Sequence, residues 1–328
     1  MNKKAIALFS GGLDSALAAK LILDQGVDVV GLHFTSHFAS KSDKERGLQA
    51  IRTAKELGIR LIVKNKGDEY IEVIKKPRYG YGKNMNPCID CRIFMLEKTA
   101  LVMAEEEAGF LITGEVVGQR PMSQKRHTIE LIEKRSNLTG LIVRPLSAKL
   151  FPPTKAELEG IIDREKLLGI SGRSRETQYN LVQLYNLKEF ARPGGGCLLT
   201  DPIFARKLKN LMKNNKEFTP KDIELLTIGR YFRLNNDTML VLGRNQEENE
   251  RLESFREAPY VFFSPLSFKG PKGILKGPPT EETIKMVANI MAFYSKDAAP
   301  TITIELDNGP LETYEVERKA IDIEQIVI

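Results

Sequence analysis

The stretch KKAIALFSGGLDSALAAK, residues 3–20, decides the fold of the N-terminal part of the chain. Its apolar run, residues 5–9, has the length of a buried strand and stops at the turn Ser10-Gly11-Gly12. From Ser15 onwards the apolar residues recur at helical spacing. The sequence therefore predicts a strand that passes through a tight turn into the N-terminus of a helix.

This turn has the properties of a phosphate-binding loop. Two adjacent glycines let the backbone curl so that successive N–H groups converge, and the first N–H groups of a helix add a positive potential. The stretch lacks the Lys of the Walker pattern and the GxGxxG of the dinucleotide-binding pattern. An ordinary strand-to-helix turn without a ligand is the alternative, but the flanking strand and helix favour a phosphate site.

The alternation of strands and helices continues beyond this stretch. We predict strands at 27–34, 60–64, 110–113 and 141–146, and helices at 42–57, 69–76 and 89–108. This order predicts an α/β fold with a doubly wound parallel sheet, in which sites lie at the carboxyl ends of the strands. Residues 114–124 follow a predicted strand and are expected to form an exposed loop at that edge.

The sequence changes in character near residue 220. A hairpin is predicted from strands at 228–234 and 238–245, followed by a helix that starts at 247, a helix at 281–294 and strands near 302–306 and 312–318. These elements predict a smaller C-terminal α+β domain. We expect three parts in the chain: a phosphate-loop domain at 1–165, an extension at 166–217 that carries Cys197, and the C-terminal domain at 218–328.

The composition is that of a soluble globular protein. The chain has 328 residues, of which 42% are hydrophobic and 28% charged. No apolar run reaches the length of a bilayer span and no secretory leader begins the sequence, so we expect a cytoplasmic protein without a membrane partner. The net charge of +6 is compatible with a polyanionic partner. The oligomeric state stays open, with a homodimer among the alternatives.

The three cysteines form the second distinctive feature. Cys88 and Cys91 are a CxxC pair at the start of a predicted helix, where the helix N-terminus favours thiolates, and Cys197 follows three glycines. Three thiolates can hold a [4Fe–4S] cluster with one open iron, which we favour. The alternatives are a redox pair of Cys91 and Cys197, one of them carrying a persulfide, and thiols without chemistry.

The pattern Ser-Gly-Gly-x-Asp-Ser after a first strand resembles the PP-loop of the ATP pyrophosphatase superfamily. The resemblance implies an adenine nucleotide alpha hydrolase-like domain that cleaves ATP into AMP and pyrophosphate. It also implies that Asp14 helps to hold Mg²⁺ and that the end of the second strand contacts adenine. The residues implied in ATP binding are Ser10, Gly11, Gly12, Asp14, Ser15, Leu32, His33, Phe34 and Gly114. For His33, a local hydrogen bond at the strand end is an equal alternative.

Further motifs narrow this resemblance over roughly residues 1–200. The PP-loop, Asn86-Pro-Cys-x-x-Cys91-Arg, Thr113-Gly114 and Cys197 are similar in order and spacing to the tRNA 2-thiouridine synthetases. Many members of that family have an Asp where this chain has Cys88. The three-cysteine set instead resembles that of the [4Fe–4S]-dependent tRNA thiolases. The resemblance implies that Cys88, Cys91, Cys197 and Asp14 are catalytic and that the three cysteines hold the cluster.

Residues 228–252 carry a second resemblance. Their pattern Gly-Arg-x-Phe, Gly-Arg-Asn and Glu-Asn-x-x-Leu is similar to the NFACT-R module, which is linked to RNA. We therefore expect tRNA as a partner, held by this domain and by cations within 173–213, although a solvated surface is the alternative for those charges.

The predicted function is ATP-dependent thiolation of a tRNA uridine, by adenylation of a carbonyl oxygen and its replacement with sulfur. Gln119, Arg120, Ser123 and Gln124 would position the uridine or its flanking phosphates. The sulfur donor, whether free sulfide, a cysteine desulfurase or a carrier protein, stays open.

Two other functions compete with this prediction. A PP-loop sulfur transferase that acts on a small molecule or a nucleotide cofactor would not need the RNA-linked domain. A non-catalytic RNA-binding protein would not need Asp14 and the thiols.

Overall fold

The computed structural model describes residues 1–191, 197–297, 301–306, 312–315 and 326–328. The chain divides into two units, Met1–Thr200 and Asp201–Ile328. Within the described residues, no helix is long and apolar enough to cross a membrane.

The first unit is built on a five-stranded parallel sheet of order β3-β2-β1-β4-β5. Its strands are β1 (Lys4–Leu8), β2 (Asp28–Thr35), β3 (Arg60–Asn65), β4 (Phe110–Thr113) and β5 (Ile142–Val143). Its helices are α1 (Leu13–Leu23), α2 (Lys41–Leu57), α3 (Glu69–Lys75), α4 (Cys88–Glu105), α5 (Arg126–Arg135), α6 (Lys155–Leu158) and α7 (Glu176–Tyr185). The predicted α/β fold with a doubly wound parallel sheet is confirmed.

Helices cover both faces of this sheet because successive side chains of a strand point to opposite sides. Ala5 and Ala7 of β1 belong to a core with residues of α1 and α2, whereas Ile6 belongs to a core with residues of α4 and α5. The middle of β1 is therefore apolar on both of its faces.

Two expectations for this unit need correction. Residues 114–124 are only partly an exposed loop, since Glu115, Val116, Gln119 and Gln124 are buried whereas residues 118 and 120–122 are exposed. The first four are buried because the segment folds back under the sheet edge, where the Gly118 N–H donates to the Gln124 carbonyl. The fifth strand is also shorter than predicted, and the sequence analysis did not predict α5 and α7.

The second unit contains a six-stranded sheet of order β11-β10-β8-β9-β7-β6, and all of its pairings are antiparallel. The strands are β6 (Arg230–Arg233), β7 (Met239–Leu242), β8 (Tyr260–Pro265), β9 (Gly273–Lys276), β10 (Thr301–Leu306) and β11 (Glu312–Glu315). The helices are α8 (Pro202–Asn214), α9 (Pro220–Leu225), α10 (Gln246–Glu253) and α11 (Glu281–Phe293). The predicted α+β domain is thus present, with β8 and β9 in addition to the predicted strands.

The segment 166–217, expected as one extension, is divided between the two units. Its first part is tied to the first sheet, since the Leu168 N–H donates to the Pro145 carbonyl and the Ala191 N–H to the Gly11 carbonyl. Its last part is α8, in which buried Lys207 donates to the carbonyl oxygens of Leu226 and Gly229, both at 3.1 Å.

A buried ion pair organises the start of the second unit. Asp222 is fully buried and accepts hydrogen bonds from the Lys276 ammonium at 2.6 Å and from the Tyr260 hydroxyl at 3.1 Å. It also closes a capping box at the N-terminus of α9 with Thr219. One carboxylate therefore joins α9 to β8 and β9.

We expect Asp222→Ala to lower the free energy of unfolding of the second unit by about 3–5 kcal/mol, because the Lys276 ammonium would stay largely buried without its partner. Urea unfolding followed by circular dichroism measures this change. Lys285→Ala removes an exposed cation that pairs with Glu281 on α11, and it should leave the unfolding midpoint unchanged. Equal midpoints for the two variants would contradict a stabilising role for Asp222.

Candidate active site

The turn at Ser10-Gly11-Gly12 leads from β1 into α1 and forms an anion-binding surface. Gly12 is the N-cap residue of α1 and makes no side-chain cap, so the first N–H groups of the helix are left for another acceptor. The Ser10 and Ser15 hydroxyl oxygens lie 3.1 Å apart at this helix end. Hydroxyl donors and a helix N-terminus in one place favour a phosphate group.

Two glycines make this arrangement possible. Gly11 has a φ of +69°, and a Cβ atom there would lie 2.4 Å from the Ala50 Cα atom of α2. A Cβ atom on Gly114, just after β4, would lie 2.6 Å from the Asp14 carbonyl oxygen. The end of β4 therefore packs directly on the first turn of α1, and neither position has room for a side chain.

Asp14 is held by two glutamines from distant parts of the sequence. Gln119 Nε2 donates to Asp14 Oδ2 at 2.7 Å, and Gln178 Nε2 lies 3.4 Å from Asp14 Oδ1 and 3.0 Å from Gln119 Oε1. Gln178 lies on α7 and is fully buried. This network fixes the orientation of the carboxylate, whose oxygens are of the type that Mg²⁺ prefers.

Four arginines form a cluster next to the loop: Arg120 is close to Asp14, and Arg46, Arg92 and Arg175 are close to Arg120. Burial lowers the pKa of Arg120, and the positive charges of the other three lower it further, whereas Asp14 raises it. The Arg120 side chain remains accessible to solvent. A cluster of guanidinium groups beside one carboxylate carries a net positive charge, and an anion bound among them would relieve their mutual repulsion.

Buried Glu115 fixes one member of this arginine cluster. It accepts hydrogen bonds from Arg92 Nε at 2.9 Å, Arg144 Nε at 3.2 Å and the Thr113 hydroxyl at 3.0 Å. Burial acts to raise the pKa of Glu115, but the two guanidinium groups outweigh it and bring the pKa to about 2. Glu115 is therefore ionised at neutral pH and acts as a rigid support for Arg92.

The three cysteines lie around the hydroxyl group of Tyr70 on α3. The phenol hydrogen-bonds Cys91, and negative charge on Cys91, Cys197 and Cys88 adds to the effect of burial in raising the Tyr70 pKa. Lys66 Nζ donates to Cys91 Sγ at 3.2 Å and lies 4.3 Å from the Tyr70 ring centroid. Cys91 thus has both a cation and a hydroxyl donor next to its sulfur.

Cys88 connects the thiols with the arginine cluster. Burial and the neighbouring Cys91 raise the Cys88 pKa, while Arg120 lowers it. The expectation that the helix N-terminus favours a thiolate therefore does not hold for Cys88, because burial outweighs the helix. All three residues are half-buried thiols. Within the described part of the chain, no three His, Cys, Asp or Glu side chains are arranged to hold a single metal ion.

The end of β2 was expected to contact adenine. Most of its hydrogen-bonding groups instead bind to the neighbouring strand region. The Leu32 carbonyl accepts from the Phe9 N–H at 2.8 Å, and His33 donates through Nδ1 to the Phe9 carbonyl at 2.9 Å. His33 thus makes the local hydrogen bond that was the alternative to a binding role. Phe34 remains partly exposed at the strand end.

The structure brings most of the predicted site residues to one edge of the first sheet. Gln119 and Arg120 are next to Asp14, and Gln124 is buried close by, with its Oε1 atom making no hydrogen bond to any described group. Ser123 is half-buried in the same segment. Sequence reasoning missed Gln178, Lys66 and Tyr70, since no motif marks them. The three glycines that precede Cys197 lie outside the described residues.

The two units match two different families. Residues 1–150 match the family of the thiamine biosynthesis protein (ThiI), and residues 229–326 match the NFACT protein RNA binding domain. The tRNA-specific 2-thiouridylase MnmA of Clostridium acetobutylicum is 32% identical over 127 residues, which are 35% of this chain and 36% of that protein. The resemblance to tRNA-thiolating PP-loop enzymes is confirmed.

Another relative and two solved structures are also similar to parts of this chain. The MnmA of Frankia casuarinae is 31% identical over 47% of this chain and 49% of its own length. The chain therefore spans from about a third to about half of the curated relatives it matches. A 4-thiouridine synthetase in complex with RNA and ATP is 24% identical, with a TM-score of 0.37, over 55% of this chain and 50% of that chain. The U34-tRNA thiolase NcsA from Methanococcus maripaludis, with its [4Fe–4S] cluster, is 16% identical, with a TM-score of 0.35, over 69% and 71%.

We expect Arg120→Met to weaken the binding of inorganic pyrophosphate by about tenfold, the loss of one charge-assisted hydrogen bond at an accessible site. Isothermal titration calorimetry measures the affinity. Arg173→Met is the matched control, because Arg173 is an exposed arginine of the same unit that does not belong to the arginine cluster. An unchanged affinity in Arg120→Met would contradict anion binding by the cluster.

Proposed function

We propose that this chain is an ATP-dependent tRNA thiolase of the PP-loop type, which adenylates a uridine carbonyl oxygen and replaces it with sulfur. The observation that carries the proposal is the position of Arg120. Its charge acts both on Asp14 beside the loop and on Cys88 of the thiol group. The phosphate-binding turn and the thiols therefore both lie close to one side chain. A reaction that activates an oxygen and then displaces it needs these two groups near each other.

The residues of the loop fit ATP as a substrate. The Ser10 and Ser15 hydroxyls and the first N–H groups of α1 would bind the β- and γ-phosphates, which leave as pyrophosphate. Asp14, oriented by Gln119 and Gln178, would hold Mg²⁺ against these phosphates. The arginine cluster would neutralise the charge that develops on pyrophosphate as the bond to the α-phosphate breaks.

The uridine chemistry follows from this arrangement. The carbonyl oxygen attacks the α-phosphorus and pyrophosphate departs, which converts a poor leaving oxygen into part of AMP. Sulfur then adds to the same ring carbon, and AMP leaves with the original oxygen. Gln119, Arg120, Ser123 and Gln124 border the space next to Asp14 and would orient the uridine or its phosphates.

The transferred sulfur would be held by the three cysteines, Cys88, Cys91 and Cys197. Three thiols around one hydroxyl group fit the donor chemistry of a [4Fe–4S] cluster with one open iron, and such a cluster, when bound, would present sulfide to the uridine. The alternative source is a persulfide on Cys91 or Cys197. On either route Lys66 places a positive charge next to the Cys91 sulfur.

The match of the second unit to an RNA-binding domain supports tRNA as the substrate. The same match favours tRNA over a small-molecule sulfur acceptor. Free sulfide, a cysteine desulfurase or a carrier protein would deliver the sulfur, and a homodimer is compatible with this function.

We expect Cys197→Ser to abolish sulfur incorporation into unmodified tRNA while pyrophosphate is still released from ATP, because the loop that binds ATP is intact in this variant. The anaerobically purified protein is assayed for thiouridine by mass spectrometry and for pyrophosphate by a coupled assay. Full thiolation by Cys197→Ser would contradict the role of the thiols. Failure of the wild-type chain to thiolate any tRNA, with activity on a small acceptor, would contradict the proposed substrate.

Cys88→Ser separates the two sulfur routes. If a cluster supplies the sulfide, the wild-type protein contains iron and absorbs visible light, and Cys88→Ser loses both its iron and its thiolation activity. If Cys91 and Cys197 use a persulfide, the wild-type protein is free of iron and Cys88→Ser retains thiolation activity. Iron content, the visible spectrum and thiouridine are measured on the same anaerobic preparation.

A further inference from the structure

A basic cavity in the second unit lies apart from the residues discussed above. Its volume is about 360 Å³, and its lining comes from the start of β6, the turn between β7 and α10, the segment before β9 and the end of α11. Four of the lining residues are cationic and one is acidic, and these are Arg230, Arg244, Lys269, Lys296 and Asp297. Such a lining attracts an anion of small-ligand size.

One cation in this cavity lies over the face of an aromatic ring. The Arg230 guanidinium lies 4.2 Å from the centroid of the Tyr294 ring. Phe232 and Phe293 pack around that ring at centroid distances of 5.9 and 5.1 Å, so the ring is fixed. A stacked guanidinium keeps its in-plane N–H donors available for phosphate, and its face can stack with a nucleobase.

A second cation is oriented by an ion pair. Arg244 Nε donates to both carboxylate oxygens of Glu248 at 3.1 Å, and the Arg244 backbone N–H donates to the same group at 2.8 Å. The hydrogen bonds from Arg244 outweigh burial and bring the Glu248 pKa to about 2. Arg244 is therefore positioned at the cavity, and it remains exposed to solvent.

The two lysines supply charge that the fold does not neutralise. Lys269 and Lys296 are exposed, and neither forms an ion pair with any residue in the ranges that the structure describes. Packing several cations around one cavity costs free energy through mutual repulsion. A bound phosphodiester would offset that cost, since it brings one negative charge and several acceptor oxygens.

We propose that this cavity binds one unpaired nucleotide of RNA, with its phosphodiester between the lysines and the guanidinium groups and its base against Arg230. The inference rests on the proposed function in that tRNA is the partner. The cavity volume lies in the range of small-ligand sites and accommodates a single nucleotide, whereas a paired helix is recognised over a broad surface. The site therefore selects a loop or an end of the RNA.

The test uses the full chain and a labelled single-stranded 12-mer of uridine, with binding followed by fluorescence anisotropy at several salt concentrations. Lys269→Ala/Lys296→Ala changes only exposed side chains and should weaken binding at least tenfold and reduce the salt slope by about 0.7, the value for one lost phosphate contact. Lys221→Ala/Lys285→Ala removes two exposed cations elsewhere in the same unit and should bind like the wild type. Arg230→Ala should also weaken binding. Its salt slope should fall by no more than the value for one phosphate contact.

Three outcomes would overturn the proposal. The first is wild-type affinity in Lys269→Ala/Lys296→Ala, and the second is that this variant loses binding to a blunt-ended, fully paired RNA duplex as strongly as to the 12-mer. The third is displacement of the 12-mer by inorganic phosphate at equal concentration, which would indicate a phosphate-ion site. Thiolation of tRNA by the wild-type chain is measured in parallel. If thiolation fails while the cavity still binds the 12-mer, then only the proposed function is wrong.

Discussion

The site depends on the hydrogen bonds that tie residues 178–191 to the PP-loop. The Ala191 N–H donates to the Gly11 carbonyl at 2.7 Å, and Gln178 contacts both Asp14 and Gln119. These contacts bring a segment from late in the first unit against a turn from its beginning. The third thiol is placed by neighbouring contacts, since the Leu198 N–H donates to the Phe38 carbonyl and the Met85 N–H donates to the Leu199 carbonyl. Without them the loop and the thiols would be separate features.

Electrostatics explains why such a site needs an anionic substrate. Arg120 lies close to Asp14 and to three further arginines, whereas the buried Glu115 pairs with Arg92 and Arg144. Lys66 adds a further cation beside Cys91. ATP and an RNA phosphate both match this excess of positive charge, and the binding of either one stabilises the arrangement.

The sequence predicts the sheet and the loop well because both are local patterns. The apolar run before Ser10 and the helical spacing after it suffice to place β1 and α1, and the same holds for β4. Contacts between distant segments have no such pattern. Gln178 on α7, Lys66 after β3 and Tyr70 on α3 are ordinary residues in the sequence, and only the folded chain brings them to Asp14 and the cysteines. For the same reason Gln119 and Gln124 were expected in an exposed loop although they are buried.

The central claim is that the oxygen activated at the PP-loop is the one that sulfur replaces. Two tRNA transcripts, labelled with ¹⁸O at uridine O2 or at uridine O4, test it when each is incubated with the protein, ATP and a sulfur source. The account predicts that one transcript gives AMP carrying one ¹⁸O for each thiouridine formed, as measured by mass spectrometry. Unlabelled AMP from both transcripts, together with thiouridine, would contradict it.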